Sequence, residues 1–199
     1  MAIYTDADIA TMALGHIDIG QEVEDLAGSK HLERVCGRSF AHARDEVLAR
    51  KVWPFTTQQL ELGLVEAFDP GEGDWLFSYR YPVTCISLRR IVSPVGLPQA
   101  EAIPYKLGQD DTGRLIFCDE ASAKAECTTT YDDPGEWPSL YAKAVSWCLA
   151  TYICGPLGKG AKRGDCMAGY EDAITNAAGV AARENANQPR PPSSYVSAR

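Results

Sequence analysis

The sequence has few histidines and lacks the closely spaced cysteine pairs that build metal or redox sites. Histidine occurs three times, at positions 16, 31 and 42, and none of the seven cysteines forms a C-x-x-C pair. This spacing excludes the usual zinc-binding and thioredoxin-like motifs. His31 and His42 lie about 16 Å apart along one predicted helix, which is too far to share an ion. We therefore expect no metal ion and no other cofactor.

Basic residues and long apolar runs are also scarce. The chain has 19 Lys and Arg against 27 Asp and Glu, a formal charge of −8. Nonspecific DNA binding needs cationic side chains that displace counterions from phosphates, so this balance argues against a free-standing DNA-binding protein. The longest uncharged stretch, residues 144–158, is shorter than the roughly 20 residues of a membrane span, and we expect no membrane partner. The first residues lack a signal-peptide pattern, so we expect synthesis in the cytoplasm with reduced, buried cysteines.

The sequence lacks the motifs of common catalytic sites. The glycine-rich segment 155–164 resembles a phosphate-binding loop, but Ala161 follows Gly160 where a Walker A loop requires lysine. We interpret it as a turn between helices; a basic rim facing a partner or DNA is the alternative. Acidic pairs at 110–111, 119–120 and 132–133 coincide with predicted turns, where Asp bonds the local backbone. Cys118 and Cys127, on what we predict to be neighbouring strands, have no suitably spaced His or Asp, so we expect no enzymatic activity.

Helical periodicity is present at both ends of the chain. Apolar residues recur at helical spacing in four segments. The first helix is predicted to begin at an N-cap at Thr5 or Asp6, and the second at an N-cap at Ser29. The third is predicted to begin near Pro138 and the fourth near Gly164. The last segment, which ends near Ala186, is rich in small residues that suit close packing against another helix.

The middle of the chain has a different pattern. Runs rich in β-branched and aromatic residues, separated by turn-forming residues, predict strands at 56–64, 75–81, 86–92, 114–118 and 125–131. We predict an α+β fold. An antiparallel bundle of about four helices (residues 1–55 and 136–186) carries an inserted antiparallel β domain, a small sandwich or barrel, at 56–135. An extended, proline-rich C-terminal tail occupies residues 187–199.

Four short segments, in this order and spacing, resemble a known family. They are residues 13–17, residues 43–48 with 52–55, residues 77–82 with 89–92, and Tyr131 with Trp137-Pro138, Leu140 and 155–157. Together they resemble the head-to-tail adaptors of tailed bacteriophages, including the tail tubular protein A and tail accessory factor proteins of short-tailed phages. The cysteines of the β region and Pro54 after Trp53 depart from the family pattern.

The resemblance implies a structural protein of the virion. Such an adaptor forms a ring, commonly of twelve copies, at the head–tail junction between the portal protein and a tail or nozzle protein. Genomic DNA passes through its channel without specific binding, and a negative charge suits that role because it repels phosphates. The C-terminal tail is implied to insert against the portal. Its apolar anchors would be Tyr195 and Val196, beside Pro191, with Arg190 and Arg199 as charged contacts.

Two other functions remain open from the sequence. The first is a different tail-completion or fibre-attachment protein with the same outline. The second is a small hydrolase whose active site is assembled within the β insertion.

Overall fold

A computed structural model describes residues 4–67, 74–92 and 103–186. Within these ranges the fold is α+β, as the sequence predicts, with four helices and two antiparallel sheets. The chain divides into two compact units. Of the described residues, those in 4–39 and 135–186 form the helical unit, and those between 40 and 134 form the β unit. The predicted tail, residues 187–199, lies outside the described residues.

The helices are α1 (Asp6–His16), α2 (His31–Arg50), α3 (Ser139–Ile153) and α4 (Arg163–Ala186). Helix α1 begins with a capping box, in which the side chains of Thr5 and Asp8 each accept the backbone N–H of the other residue. Thr5 is one of the two predicted N-caps. The N-cap predicted for α2 is wrong by one residue. This helix begins at His31, so Lys30 precedes it and donates its backbone N–H to Glu33 Oε2 at 2.9 Å.

Helix α3 is the centre of the helical unit. It packs against both α1 and α4, and its apolar side chains are therefore buried on most sides, as its sequence predicts. The buried face of α4 consists of the residues predicted from periodicity: Cys166, Tyr170, Ala173, Ile174, Ala177 and Ala181. None of the described helices is long and apolar enough to cross a membrane.

The β unit contains β1 (Thr57–Glu61), β2 (Leu64–Ala67), β3 (Phe77–Arg80), β4 (Cys85–Val92), β5 (Lys106–Asp110), β6 (Gly113–Cys118) and β7 (Lys124–Thr129). One sheet has the order β1-β7-β4 and the other β2-β3-β6-β5, with all pairs antiparallel. Side chains of both sheets form one hydrophobic core, which includes Tyr79, Ile91, Ile116 and Cys127.

Two details of the predicted strands are wrong. The predicted strand 56–64 is two strands, because the chain leaves the first sheet at Leu62-Gly63 and enters the second as β2. Strand β5 is absent from the predicted strands, because Leu107 is its only large apolar residue and Gly108 has low strand propensity. The ring of Phe117 on β6 covers Gly108, where a Cβ would lie 2.5 Å from the ring edge.

The C-terminal half of α2 belongs to the β unit, whereas the sequence places the boundary after residue 55. Arg89 of β4 is the reason. Its guanidinium donates to the carbonyl oxygens of Leu48, Ala49 and Lys51 at the end of α2, at 3.0, 3.3 and 2.6 Å. Its Nε donates to Thr128 Oγ1 of β7 at 2.8 Å. The last carbonyls of a helix have no partner further along it, so the Arg89 guanidinium caps the C-terminal end of α2.

Candidate functional site

The five residues predicted to bind the portal lie outside the described residues: Arg190, Pro191, Tyr195, Val196 and Arg199. The described residues contain two side-chain clusters whose chemistry differs from ordinary core packing. One is a pair of thiols in the β unit, and the other surrounds a histidine in the helical unit.

The thiol pair consists of Cys85 on β4 and Cys127 on β7. Cys85 lies opposite Thr129, two positions from Cys127 along β7, so both thiols point to the same face of the sheet. Cys127 is fully buried and Cys85 is 7% exposed. Cys85 Sγ lies 3.3 Å from the Tyr81 hydroxyl oxygen.

The surroundings of Cys85 favour its thiolate. Hydrogen bonds from Cys127 and Tyr81, with the charges of Arg114 and Arg89, lower its pKa to about 7 against the opposing effect of burial. Burial raises the pKa of Tyr81 to about 12, with a contribution from its bond to Cys85. The Arg114 guanidinium stacks 3.9 Å from the centroid of the Tyr81 ring. Cys85 is therefore the acidic member of the pair.

Cys127 is the member that keeps its proton. Its bond to Cys85 and its burial both raise the pKa of its thiol. Of the two thiols, Cys85 is therefore the one that ionises first. This arrangement suits redox chemistry at sulfur, because a thiolate is the nucleophilic form of cysteine.

The sequence prediction that Cys118 and Cys127 lie on neighbouring strands is wrong. Cys118 is on β6, which pairs with β3 and β5, whereas β7 pairs with β1 and β4 in the other sheet. No motif in the sequence distinguishes Cys85 from the other cysteines. Residues 85 and 127 are far apart along the chain, so only the sheet order reveals their proximity.

The second cluster surrounds His16 on α1. Its ring stacks on Trp147 of α3, with centroids 3.6 Å apart and the planes at 7°. Its Nε2 lies 3.0 Å from Ser146 Oγ. Ser146 donates its proton to the Lys143 carbonyl at 2.8 Å, so its oxygen accepts from the Nε2–H of a neutral imidazole. Burial, and secondarily the charge of Lys143, lowers the pKa of His16 to about 4.

This low pKa predicts an acid-sensitive helical unit. An unfolded chain binds a proton at His16 near pH 6.5, but the folded protein does so only near pH 4. Acidification from pH 7 to pH 5 therefore favours unfolding, and we expect His16 to account for a loss of about 1–2 kcal/mol. Urea unfolding at the two pH values measures this loss in the free energy of unfolding. The His16→Gln variant should lose this part of the pH dependence; equal dependence in both proteins would contradict the prediction.

The glycine-rich segment between α3 and α4 is a turn, as predicted. It contains a short 3₁₀ helix, Gly160–Lys162, and Gly158 has a positive φ of 72° that favours glycine. Lys162 pairs with Asp18 at 2.8 Å. An open depression of about 520 Å³ lies beside this turn. Its lining is mixed in polarity: Asp18, Ile19, Gly20, Gln21, His31, Leu32, Pro156 and Leu157.

One carboxylate of each acidic pair forms hydrogen bonds or an ion pair with other residues of the chain. Asp119 accepts the Leu76 N–H at 2.9 Å, and Asp132 pairs with Arg44. Asp110 accepts both ends of the Arg80 guanidinium, each at 2.8 Å. Across the described ranges, no group of three or more His, Cys, Asp or Glu side chains is placed to hold a metal ion.

Asp110 fixes the β5–β6 hairpin, and removing it should loosen that turn. Its Oδ1 accepts the N–H groups of Thr112 and Gly113 at 2.9 and 2.8 Å, and the bond from Arg80 holds its pKa well below the usual range. We expect Asp110→Ala to accelerate hydrogen exchange at the Gly113 amide. The neighbouring Asp111→Ala is the control and should leave that rate nearly unchanged. Equal rates in the two variants would contradict this role.

Protein-family models and curated proteins give no match to this chain.

Proposed function

We propose that this chain is a structural protein of a tailed-phage virion, the head-to-tail adaptor that joins the portal to the tail. In this proposal its function resides in protein interfaces rather than in catalysis. Copies of the chain form a ring at the portal vertex, and DNA passes through the ring. The order of the described elements supports the proposal: two helices, a β insertion and two further helices, as the resemblance implies.

The observation that carries the proposal is the set of hydrogen bonds that joins Arg89 of β4 to the end of α2. Two of the four segments that resemble the adaptor family, one ending α2 and the other forming β4, meet there through bonds from Arg89 to Leu48 and its neighbours. Trp53, from the same family-like segment, donates its indole N–H to the Val47 carbonyl at 2.8 Å. These two segments therefore build one structural feature of the β unit, the capped end of α2.

The exposed apolar side chains of the β unit suit an assembly protein. Leu64 and Val65 on β2 and Leu107 on β5 are between 44% and 57% exposed, and Val83 is fully exposed. Within the described residues, β2 and β5 are the two edges of one sheet. Edge strands can pair with a strand of another chain, and such pairing would cover their apolar side chains.

Electron microscopy of the full chain mixed with the portal protein of its own phage tests the proposal. We expect rings stacked coaxially on the portal. A chain that stays monomeric and ignores the portal would contradict the adaptor function. It would favour another tail-completion protein or, if the chain also cleaved a substrate, the hydrolase.

The C-terminal tail provides a second test, which concerns how the ring docks. We expect replacement of Tyr195 and Val196 by serine to weaken portal binding at least tenfold, roughly 1.4 kcal/mol. A matched control replaces Ser193 and Ser194 by alanine and should bind as the parent chain does. Circular dichroism checks that both variants fold. Unchanged affinity of the first variant would remove the tail from the proposed interface.

A further inference from the structure

We propose that copies of this chain bind each other through the two edges of the four-stranded sheet, with β5 of one copy pairing antiparallel to β2 of the next. The proposal names the contact between neighbouring copies in the ring, and in that respect it rests on the function proposed above. Within the described residues, β2 and β5 are the edges of this sheet, whose order is β2-β3-β6-β5. An edge strand presents backbone N–H and C=O groups along its outer side, where a strand of another chain can bind them.

The directions of the two edge strands suit a head-to-tail contact. Each pair of neighbouring strands in this sheet is antiparallel, so β2 and β5, which three such pairs connect, also run in opposite directions. A second copy in the same orientation can therefore place its β2 beside β5 and continue the antiparallel sheet. A contact of this type uses two different surfaces of each copy, and it closes into a ring when the rotation between copies allows it.

One row of residues across the sheet begins with an anion and ends with a cation. Residues directly opposite each other on neighbouring strands share a face, and this row consists of Glu66, Ser78, Phe117 and Lys106. Both of its charged ends are exposed. When a second copy continues the sheet in the same register, its Glu66 lies directly opposite Lys106. Opposite charges at such a position stabilise the pairing of two strands.

The adjacent row, on the other face of the sheet, ends in a leucine at both edges. It consists of Leu64, Tyr79, Ile116 and Leu107. Tyr79 and Ile116 belong to the hydrophobic core of the β unit, whereas Leu64 and Leu107 are 57% and 45% exposed. Pairing in the same register places these two leucines opposite each other and removes apolar surface of both from water. The contact thus extends the core of one copy into the next.

The charges of the two edges disfavour pairing between identical edges. In an antiparallel pair of two β2 strands, overlap of Leu64–Ala67 with its own copy sets the two Glu66 side chains near each other and offers neither a cation. Like charges at such positions destabilise a strand pair. In a pair of two β5 strands, the acid on the strand is Asp110, and its carboxylate already accepts the Arg80 guanidinium. The edges therefore favour each other over themselves.

Charge reversal in the full chain tests the proposal, with sedimentation velocity over a range of concentrations as the measurement. We expect the parent chain to form oligomers as its concentration rises. Glu66→Lys and Lys106→Glu should each weaken this association about tenfold, because each replaces an attraction by a repulsion. The double variant restores an opposite-charge pair and should associate to within about threefold of the parent chain. The control Glu22→Lys reverses an exposed charge of the helical unit and should change little.

Three outcomes of this experiment would overturn the proposal. The first is a parent chain that stays monomeric at every concentration. The second is equal association of all the variants, which places the contact elsewhere. The third is a loss in Lys106→Glu alone without rescue in the double variant, which indicates pairing of β5 with itself.

The apolar row and the backbone provide a second readout. Leu107→Ser should weaken the association, whereas Val83→Ser, at a fully exposed valine outside both edges, should not. In the parent chain, backbone amides of β2 and β5 should exchange hydrogen more slowly at concentrations where oligomers form than in dilute solution. Equal exchange at both concentrations would contradict strand pairing, and this measurement decides even if a charge variant fails to fold.

The two proposals can fail separately. A chain that associates through these edges but ignores the portal would contradict the adaptor function alone. Rings that form on the portal equally well from Lys106→Glu and from the parent chain would contradict the pairing of β2 with β5 alone.

Discussion

Replacing Arg89 with methionine should lower the free energy of unfolding of the β unit by about 3 kcal/mol. Methionine keeps much of the side-chain length, so the loss measures the guanidinium group itself. Its removal leaves the carbonyls of Leu48, Ala49 and Lys51 without the donor that they share. It also removes a positive charge from the end of α2 where the helix dipole favours one. Hydrogen bonds from a charged donor contribute about 1.5–3 kcal/mol each, and partial exposure reduces their sum.

The adjacent residue provides the control. Arg90 occupies the next position on β4, and its side chain pairs with Glu126 of β7 at 2.6 Å instead of bonding the end of α2. This pair is partly exposed, and Arg90→Met should cost about 1 kcal/mol or less. Urea unfolding, with hydrogen exchange at the amides of β4 and β7, separates the β unit from the helical unit. Equal losses in the two variants would show that Arg89 is not the cap of α2.

The helices could be predicted from the sequence because their signals are local. Thr5 and Asp8 stand three positions apart and form the capping box of α1 by themselves. The recurrence of apolar and small residues in α4 identified its buried face, from Cys166 to Ala181. The error at the start of α2 has a local cause as well. The Glu33 carboxylate accepts the Lys30 N–H, and a side chain reaching back in this way moves the N-cap from Ser29 to Lys30.

Sheet pairing could not be predicted, because it depends on contacts between distant segments. Strand β7 lies between β1 and β4, its partners from much earlier in the chain. An order based on sequence neighbours places Cys127 on a strand beside that of Cys118, whereas the actual order places β7 beside β4, the strand of Cys85. Strand β5 has a similar explanation. Its Gly108 is acceptable only because Phe117 covers it, which is a tertiary contact.

The side-chain clusters around Cys85 and His16 could not be predicted from the sequence for the same reason. His16 lies in a segment that resembles the adaptor family, but nothing near it in the sequence indicates that Trp147 stacks on its ring. Tyr81 and Cys85 are close in sequence, so their contact could have been suspected from spacing. The pairing of β4 with β7, which brings Cys85 and Cys127 to the same sheet, could not be predicted in this way. The portal-binding residues of the tail remain a prediction.

Gly169→Ala should destabilise the helical unit, although alanine favours helices more than glycine does. A Cβ at position 169 of α4 would lie 2.6–2.7 Å from three ring atoms of Trp147. The indole cannot easily move away, because His16 stacks on it at 3.6 Å. Overpacking of this kind costs about 1–3 kcal/mol, which exceeds the gain in helix propensity of about 1 kcal/mol. The side chain of Trp147, and with it His16, must shift to accept the methyl group.

Gly179 on the same helix is the matched control. A Cβ there meets nothing within 4 Å, and the position is exposed. Gly179→Ala should therefore stabilise the protein by about 0.5–1 kcal/mol through helix propensity alone. Urea unfolding followed by tryptophan fluorescence should give a lower free energy of unfolding for Gly169→Ala than for the parent chain, and a higher one for Gly179→Ala. If Gly169→Ala proves as stable as Gly179→Ala, then α3 and α4 do not pack as closely as the contact at Trp147 requires. Close packing at Gly169 is what the small residues of this helix predict.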